Sequence, residues 1–166
     1  MSTSQFDCFL ENARLLFAKF DIVPLLYGSL GLEYLTGEAL GADDIDILIP
    51  NRLLTSQWEL LQSVLLSQGY VLTDEHEHTF VRDGIVYSYA AIEELEPFVG
   101  IRIKDIVQRK EQDVRFLLLS PEQYLCVYRQ SIKDGYRVHV RQKKDGEKIL
   151  LIEGILHKED KDRDAL

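Results

Sequence analysis

Leu25-Leu26-Tyr27-Gly28-Ser29, followed after an intervening stretch by Asp44-Ile45-Asp46-Ile47-Leu48, decides how this chain reads. The first run is apolar and ends in a Gly-Ser turn, as expected of a strand buried on both faces. The second carries carboxylates on alternate residues. In a strand, residues two apart share a face, so Asp44 and Asp46 project together while Ile45 and Ile47 pack on the other side. Two acids converging beside a Gly-Ser turn suit a site for Mg²⁺ and phosphate.

Outward from these strands the periodicity supplies the rest. Phe6, Phe9, Leu10, Ala13, Leu16 and Phe17 recur at helical spacing, predicting an amphipathic helix over Ser4 to Lys19 with Ser4 as its cap. Leu30 to Leu35 reads as a short helix and Thr36 to Asp43, with Gly37 and Gly41, as a loop. Leu54, Trp58, Leu61, Val64 and Leu65 predict a helix from Leu53 to Leu66, stopped by Gly69. The period then shortens. Tyr70 to Thr73, Thr79 to Arg82 and Ile85 to Tyr89 read as strands, the last two joined by an Asp83-Gly84 hairpin turn.

Ile101 to Val107 and Val114 to Leu118 are further strand candidates, separated by a polar turn over Gln108 to Asp113. Ser120-Pro121-Glu122-Gln123 is a strong helix start, with Ser as cap, Pro at the first position and Gln at the third. A last helix, from Arg137 or Lys144, runs through Ile155. The expected class is α+β, a mixed sheet with packed helices and a helical C-terminal part. Residues 1–156 read as one domain, and 157–166 as a charged, disordered tail.

Bulk properties narrow the functions. The 166 residues are 46% hydrophobic and carry a net charge of −9, enough apolar content for a core and too acidic for broad nucleic-acid binding. Cys8 and Cys126 fall in apolar helical patterns that match neither a zinc nor a redox spacing, and read as two buried thiols of a reduced protein. No signal peptide or membrane-spanning run is apparent, so a cytoplasmic protein without membrane partners is expected. His76 and His78, within Asp74 to His78, read as part of a solvated turn rather than a zinc site.

The segment from Tyr27-Gly28-Ser29 to Asp44-Ile45-Asp46-Ile47 resembles the signature of the nucleotidyltransferase superfamily, with its polymerase-β-like fold. The match covers roughly the first half of the chain. Arg141 to Asp145 is more loosely similar to the Arg/Lys-Lys-Asp helix of small stand-alone members. The resemblance implies that Asp44 and Asp46 are catalytic and bind Mg²⁺, that Gly28 and Ser29 hold the phosphates of a nucleoside triphosphate, and that Lys144 adds positive charge. It implies transfer of a nucleoside monophosphate to a hydroxyl acceptor.

One feature departs from the pattern. Active members place a third acid on a later strand, and Ile85 to Ala91 contains none; Ser88 stands where it is sought, with Asp83, Glu93 and Glu94 nearby. A catalytically inactive nucleotide-binding or regulatory module of the same fold is therefore an alternative. A structural or partner-binding protein, whose acids form a solvated strand face, is another.

Overall fold

The computed structural model describes residues 4–133 and 139–164, with the side chains of 139–144 and 164 left out. Helix α1 (Gln5–Phe20) begins at Ser4, whose Oγ accepts from the Asp7 amide at 3.1 Å. Strand β1 (Leu25–Tyr27) runs directly into α2 (Gly28–Thr36), and β2 (Asp44–Ile49) follows an irregular loop. Then come α3 (Trp58–Ser67), β3 (Val71–Asp74), β4 (Thr79–Arg82), β5 (Ile85–Ala91) and the short α4 (Leu95–Val99). Strands β6 (Val107–Glu111) and β7 (Val114–Leu118) precede α5 (Pro121–Lys133) and α6 (His139–Asp164).

All seven strands form one mixed sheet in the order β3-β4-β5-β2-β1-β7-β6. The central strand β2 lies antiparallel to β1 and parallel to β5, and β1 is parallel to β7. The expected α+β class holds, with six α-helices among the described residues.

Alternation along β2 separates two cores. Ile45, Ile47 and Ile49 are each fully buried and join Phe9, Leu16, Leu61, Tyr87 and Phe116 beneath α1 and α3. On the opposite face Leu48 joins Leu25, Leu95, Tyr124, Val127 and Ile152 beneath α4, α5 and α6. Asp44 and Asp46 share the Leu48 face, at the end where the helical cover gives way to a cleft. The strand period thus both buries three isoleucines and lifts the two carboxylates out of the core.

Several elements differ from the sequence expectation. Residues 101–106 form no strand; a 3-10 turn at Ile103–Asp105 precedes β6, which occupies most of the expected Gln108 to Asp113 turn. Val107-Gln-Arg-Lys-Glu is an almost wholly exposed edge strand, so its side chains lack the apolar alternation that marks a half-buried strand. The true turn is Gln112-Asp113, both at positive φ. Helix α3 starts later than expected, at Trp58, after a 3-10 turn at Asn51–Leu53; the Thr55 and Ser56 hydroxyls bond to the Asn51 and Arg52 carbonyls in the stretch between.

Two further corrections concern the C-terminal part. Cys8 is buried as expected, but Cys126 is exposed on α5. Residues 157–164, expected as a disordered tail, continue α6; opposite charges such as Arg163 and Asp160, 2.6 Å apart at i,i+3, support a helix that composition alone reads as tail. The Ser120 cap is as expected: Ser120 and Gln123 exchange backbone-to-side-chain bonds of 2.9 and 3.2 Å, a complete capping box.

Candidate functional site

The site forms where β1 breaks into α2. Gly28 adopts φ +65°, the left-handed region that side chains rarely adopt. A Cβ there would collide with the Asp46 carboxylate. Glycine is thus required twice over, by the backbone turn and by the acid lying against it. Tyr27 pairs with Asp46 across β1–β2, which places the turn directly beside the second acid. Tyr27, at the N-cap of α2, makes no side-chain capping bond. A helix start left this way suits an anion, because its first amides lack intrahelical acceptors.

From the other side α5 holds the turn in place. Tyr124 is 1% exposed, and its hydroxyl donates to the Gly28 carbonyl at 3.1 Å. Burial, reinforced by neighbouring Tyr128, Tyr27 and Asp46, pushes the Tyr124 phenol well above its ordinary range, so it remains a neutral donor. One turn along α2, Gly31 leaves room for this hydroxyl; a Cβ there would meet it and would stand 2.7 Å from the Leu26 carbonyl oxygen.

Helix α6 contributes a cation among the described residues. Lys148 Nζ donates to Ser29 Oγ at 2.8 Å and lies 5.2 Å from the centre of the Tyr128 ring. Asp145, three residues earlier on α6, is 2% exposed and also lines the cleft. Lys144, the lysine expected from the sequence, falls on α6, but its side chain lies outside the described residues.

Asp44, Asp46, Gly28 and Ser29 line a single cleft of about 790 Å³, together with Ser88, Tyr124, Tyr128, Asp145 and Lys148. Four of the five sequence candidates are therefore brought together. Register puts Ser88 on β5 directly opposite Asp46 on β2, the place where a third acid was sought. The Ser88 hydroxyl lies 3.3 Å from that of Thr79. Glu93 is drawn away to the Asn51 amide at 3.0 Å. Among the described residues, no cluster of three or more His, Cys, Asp or Glu is arranged to hold a metal.

The donor set nonetheless fits Mg²⁺. It consists of hard oxygens, and Mg²⁺ takes one or two protein carboxylates and fills its remaining positions with water and phosphate. His76 and His78 form no part of this arrangement. The His76 side chain is exposed, and His78 stacks edge-on against Trp58 with ring centres 4.8 Å apart.

Sequence reasoning missed Glu33. Its Oε1 accepts from the Leu40 amide at 2.8 Å and the Ala42 amide at 3.1 Å, tying α2 to the loop that leads into β2. The signal is faint: a single acid on a short helix next to a Gly-rich loop. Tyr124 and Lys148 carry no local signal in the sequence. Only the packing of α5 and α6 over the sheet reveals their place at the cleft.

No protein-family model matches the chain, and no solved structure matches it. No described helix is long and apolar enough to cross a membrane. The chain is 36% identical over 148 residues, 89% of its length and 95% of the relative's, to the "Uncharacterized protein YnaI" of Bacillus subtilis (strain 168). Similarity at that level along nearly the whole of both chains means that this protein belongs to the YnaI family.

Proposed function

We propose that the cleft binds a nucleoside triphosphate with Mg²⁺ and transfers its nucleoside monophosphate to a hydroxyl acceptor. The observation that carries this reading is the meeting of the Asp44/Asp46 pair and the Gly28-Ser29 helix start in one cleft. Neither feature is specific alone; together they supply what phosphate chemistry requires, an anion cradle beside a cation-binding edge.

In this reading Asp44 and Asp46 hold Mg²⁺, which supplies charge neutralisation of the phosphates and alignment of the reacting oxygens. The amides at the start of α2 receive phosphate oxygens, and Lys148, already hydrogen-bonded to Ser29, adds positive charge beside them. Tyr124 keeps the Gly28 carbonyl turned away from the anion by bonding it. The acceptor oxygen bonds to the α-phosphorus, the bond from that phosphorus to the pyrophosphate oxygen breaks, and the acceptor's proton leaves to water.

Mg²⁺ would also ease entry of the triphosphate. Among the described residues, Glu38, Asp43, Glu77, Asp145 and Glu147 line the cleft with the Asp44/Asp46 pair and Lys148. A cation shared between carboxylates and phosphates lowers the repulsion between like charges. The Mg²⁺ complex should therefore bind more tightly than the bare triphosphate.

A second reading has an observation of its own in its favour. Ser88, not an acid, stands opposite Asp46, so a protein that binds the nucleotide without turning it over also suits the cleft. Incubation with α-labelled nucleoside triphosphates and Mg²⁺ separates the two. Label transferred with release of pyrophosphate supports the enzyme. Mg²⁺-dependent binding without pyrophosphate release supports the binding module, and neither outcome sinks both.

A further inference from the structure

A second, smaller pocket of about 280 Å³ adjoins the cleft and shares Tyr27, Leu48 and Ala90 with it. Leu95 and Phe98 of α4 wall it on the far side, and Glu94 stands at the junction leading into that helix. Its size falls just below that of pockets for whole drug-sized ligands. It suits one ring system of a larger ligand whose remainder lies in the cleft.

We infer that this pocket receives the nucleobase of the bound nucleotide, and that Glu94 favours guanine. The inference rests on the nucleotide reading of the main cleft. Tyr27 is the residue immediately before the Gly28-Ser29 turn, and it pairs with Asp46 in the sheet. The pocket therefore begins beside both the phosphate cradle and the carboxylate pair, as a base joined to those phosphates through one ribose requires. Tyr27 and Phe98 supply aromatic surface, and Leu48, Ala90 and Leu95 are apolar. Flat π faces of bases are recognised in this way, by stacking and exclusion of water.

The acceptor belongs elsewhere. Glu38, Asp43 and Glu77, which line the main cleft but not the small pocket, are polar and charged, and offer hydrogen bonds to a hydroxyl compound rather than a surface for stacking.

Glu94 decides among the bases. An ionised carboxylate only accepts hydrogen bonds. Guanine offers its N1–H and 2-amino group side by side. The corresponding edge of adenine sets a ring-nitrogen acceptor next to its amino group, so a carboxylate there meets one lone pair with another. Glu94 is exposed at the edge of the pocket, so it disfavours the base that lacks paired donors rather than excluding it.

Binding of four Mg²⁺ nucleoside triphosphates and of Mg²⁺ tripolyphosphate, which has no base, tests this by titration calorimetry. The inference expects GTP to bind at least ~10-fold more tightly than tripolyphosphate, as loss of one stacked base predicts. Phe98→Ala should remove that advantage while leaving tripolyphosphate affinity unchanged, which also verifies that the variant is folded. Glu94→Gln should reduce the preference for GTP over ATP.

Equal binding of tripolyphosphate and all four nucleotides overturns the base pocket. Unchanged GTP affinity in Phe98→Ala does the same and leaves the pocket to an apolar part of the acceptor. An equal affinity for GTP and ATP overturns the role of Glu94. If neither nucleotides nor tripolyphosphate bind, the nucleotide reading itself fails and takes this inference with it.

Discussion

Substituting alanine at Gly28 and, separately, at Gly37 isolates the contact on which the candidate site is built. Both glycines have positive φ, +65° and +76°, so both substitutions force an L side chain into the left-handed region. That alone costs about 1–2 kcal/mol, partly offset by the reduced freedom of the unfolded chain. The surroundings differ. A Cβ at Gly37 meets nothing within 4 Å, whereas one at Gly28 collides with the Asp46 carboxylate.

Relief of that collision needs movement of Asp46 or of the turn, and overpacking of this kind adds roughly 1–3 kcal/mol. Gly37→Ala should therefore lose about 1 kcal/mol and Gly28→Ala about 2–4 kcal/mol. For a chain of this size, 1 kcal/mol corresponds to about 2–4 °C in Tm. Urea unfolding reads the stability, and calorimetric titration with a Mg²⁺ nucleoside triphosphate reads the site. Only Gly28→Ala should lose nucleotide affinity. Equal stability losses in the two variants would mean that Asp46 does not lie against Gly28 in solution, and unchanged nucleotide binding in Gly28→Ala would remove the turn from the site.

Other expectations follow from the same contacts. Tyr124→Phe removes the bond to the Gly28 carbonyl while keeping the packing, and should cost about 1 kcal/mol in urea unfolding; no change would mean that the hydroxyl does not hold the turn. Glu33→Gln keeps one acceptor but loses the charge that binds the Leu40 and Ala42 amides, and should raise amide hydrogen exchange across residues 38–43; unchanged exchange would remove its role. Asn12 is fully buried and donates to the Tyr70 and Tyr89 hydroxyls at 3.0 and 2.7 Å, so Asn12→Ala should cost about 2–4 kcal/mol; a loss within experimental error contradicts that network.

Burial raises the phenols of Tyr89 and Tyr124 well above their ordinary range. Above pH ~10 the unfolded chain loses those protons while the folded chain retains them, so stability should fall with rising pH, by ~1.4 kcal/mol per unit for each tyrosine. Urea midpoints that stay level from pH ~9 to ~11 would contradict this.

The parts of the fold that sequence reveals are those whose burial leaves a period. The alternation Asp44-Ile45-Asp46-Ile47 predicts both the strand and the face of its acids, because Ile45 and Ile47 must be buried and the acids must not. The capping box at Ser120 is equally plain, since it is local chemistry. Val107 to Glu111 is not, because an edge strand exposed on both sides bears no apolar pattern. Only its pairing with β7 makes it a strand.

The site divides in the same way. Gly28, Ser29, Asp44 and Asp46 lie on consecutive elements, and their relation can be read along the chain. Tyr124 and Lys148 reach the turn from 96 and 119 residues away, through the packing of α5 and α6 over the sheet. No spacing rule encodes contacts of that range. The pairing of Ser88 with Asp46 depends likewise on the parallel register of β5 with β2.

The function proposed for the cleft turns on whether Asp44 and Asp46 hold Mg²⁺ for a nucleoside triphosphate seated on the Gly28-Ser29 turn. Titration calorimetry of nucleoside triphosphates against the intact protein and Asp46→Asn, with and without Mg²⁺, tests it most directly. Saturable binding should require Mg²⁺ and weaken at least ~10-fold in the folded variant, the loss expected when a charged ligand group is neutralised. Binding that persists without Mg²⁺, is unchanged in Asp46→Asn, or is absent from the intact protein would contradict it.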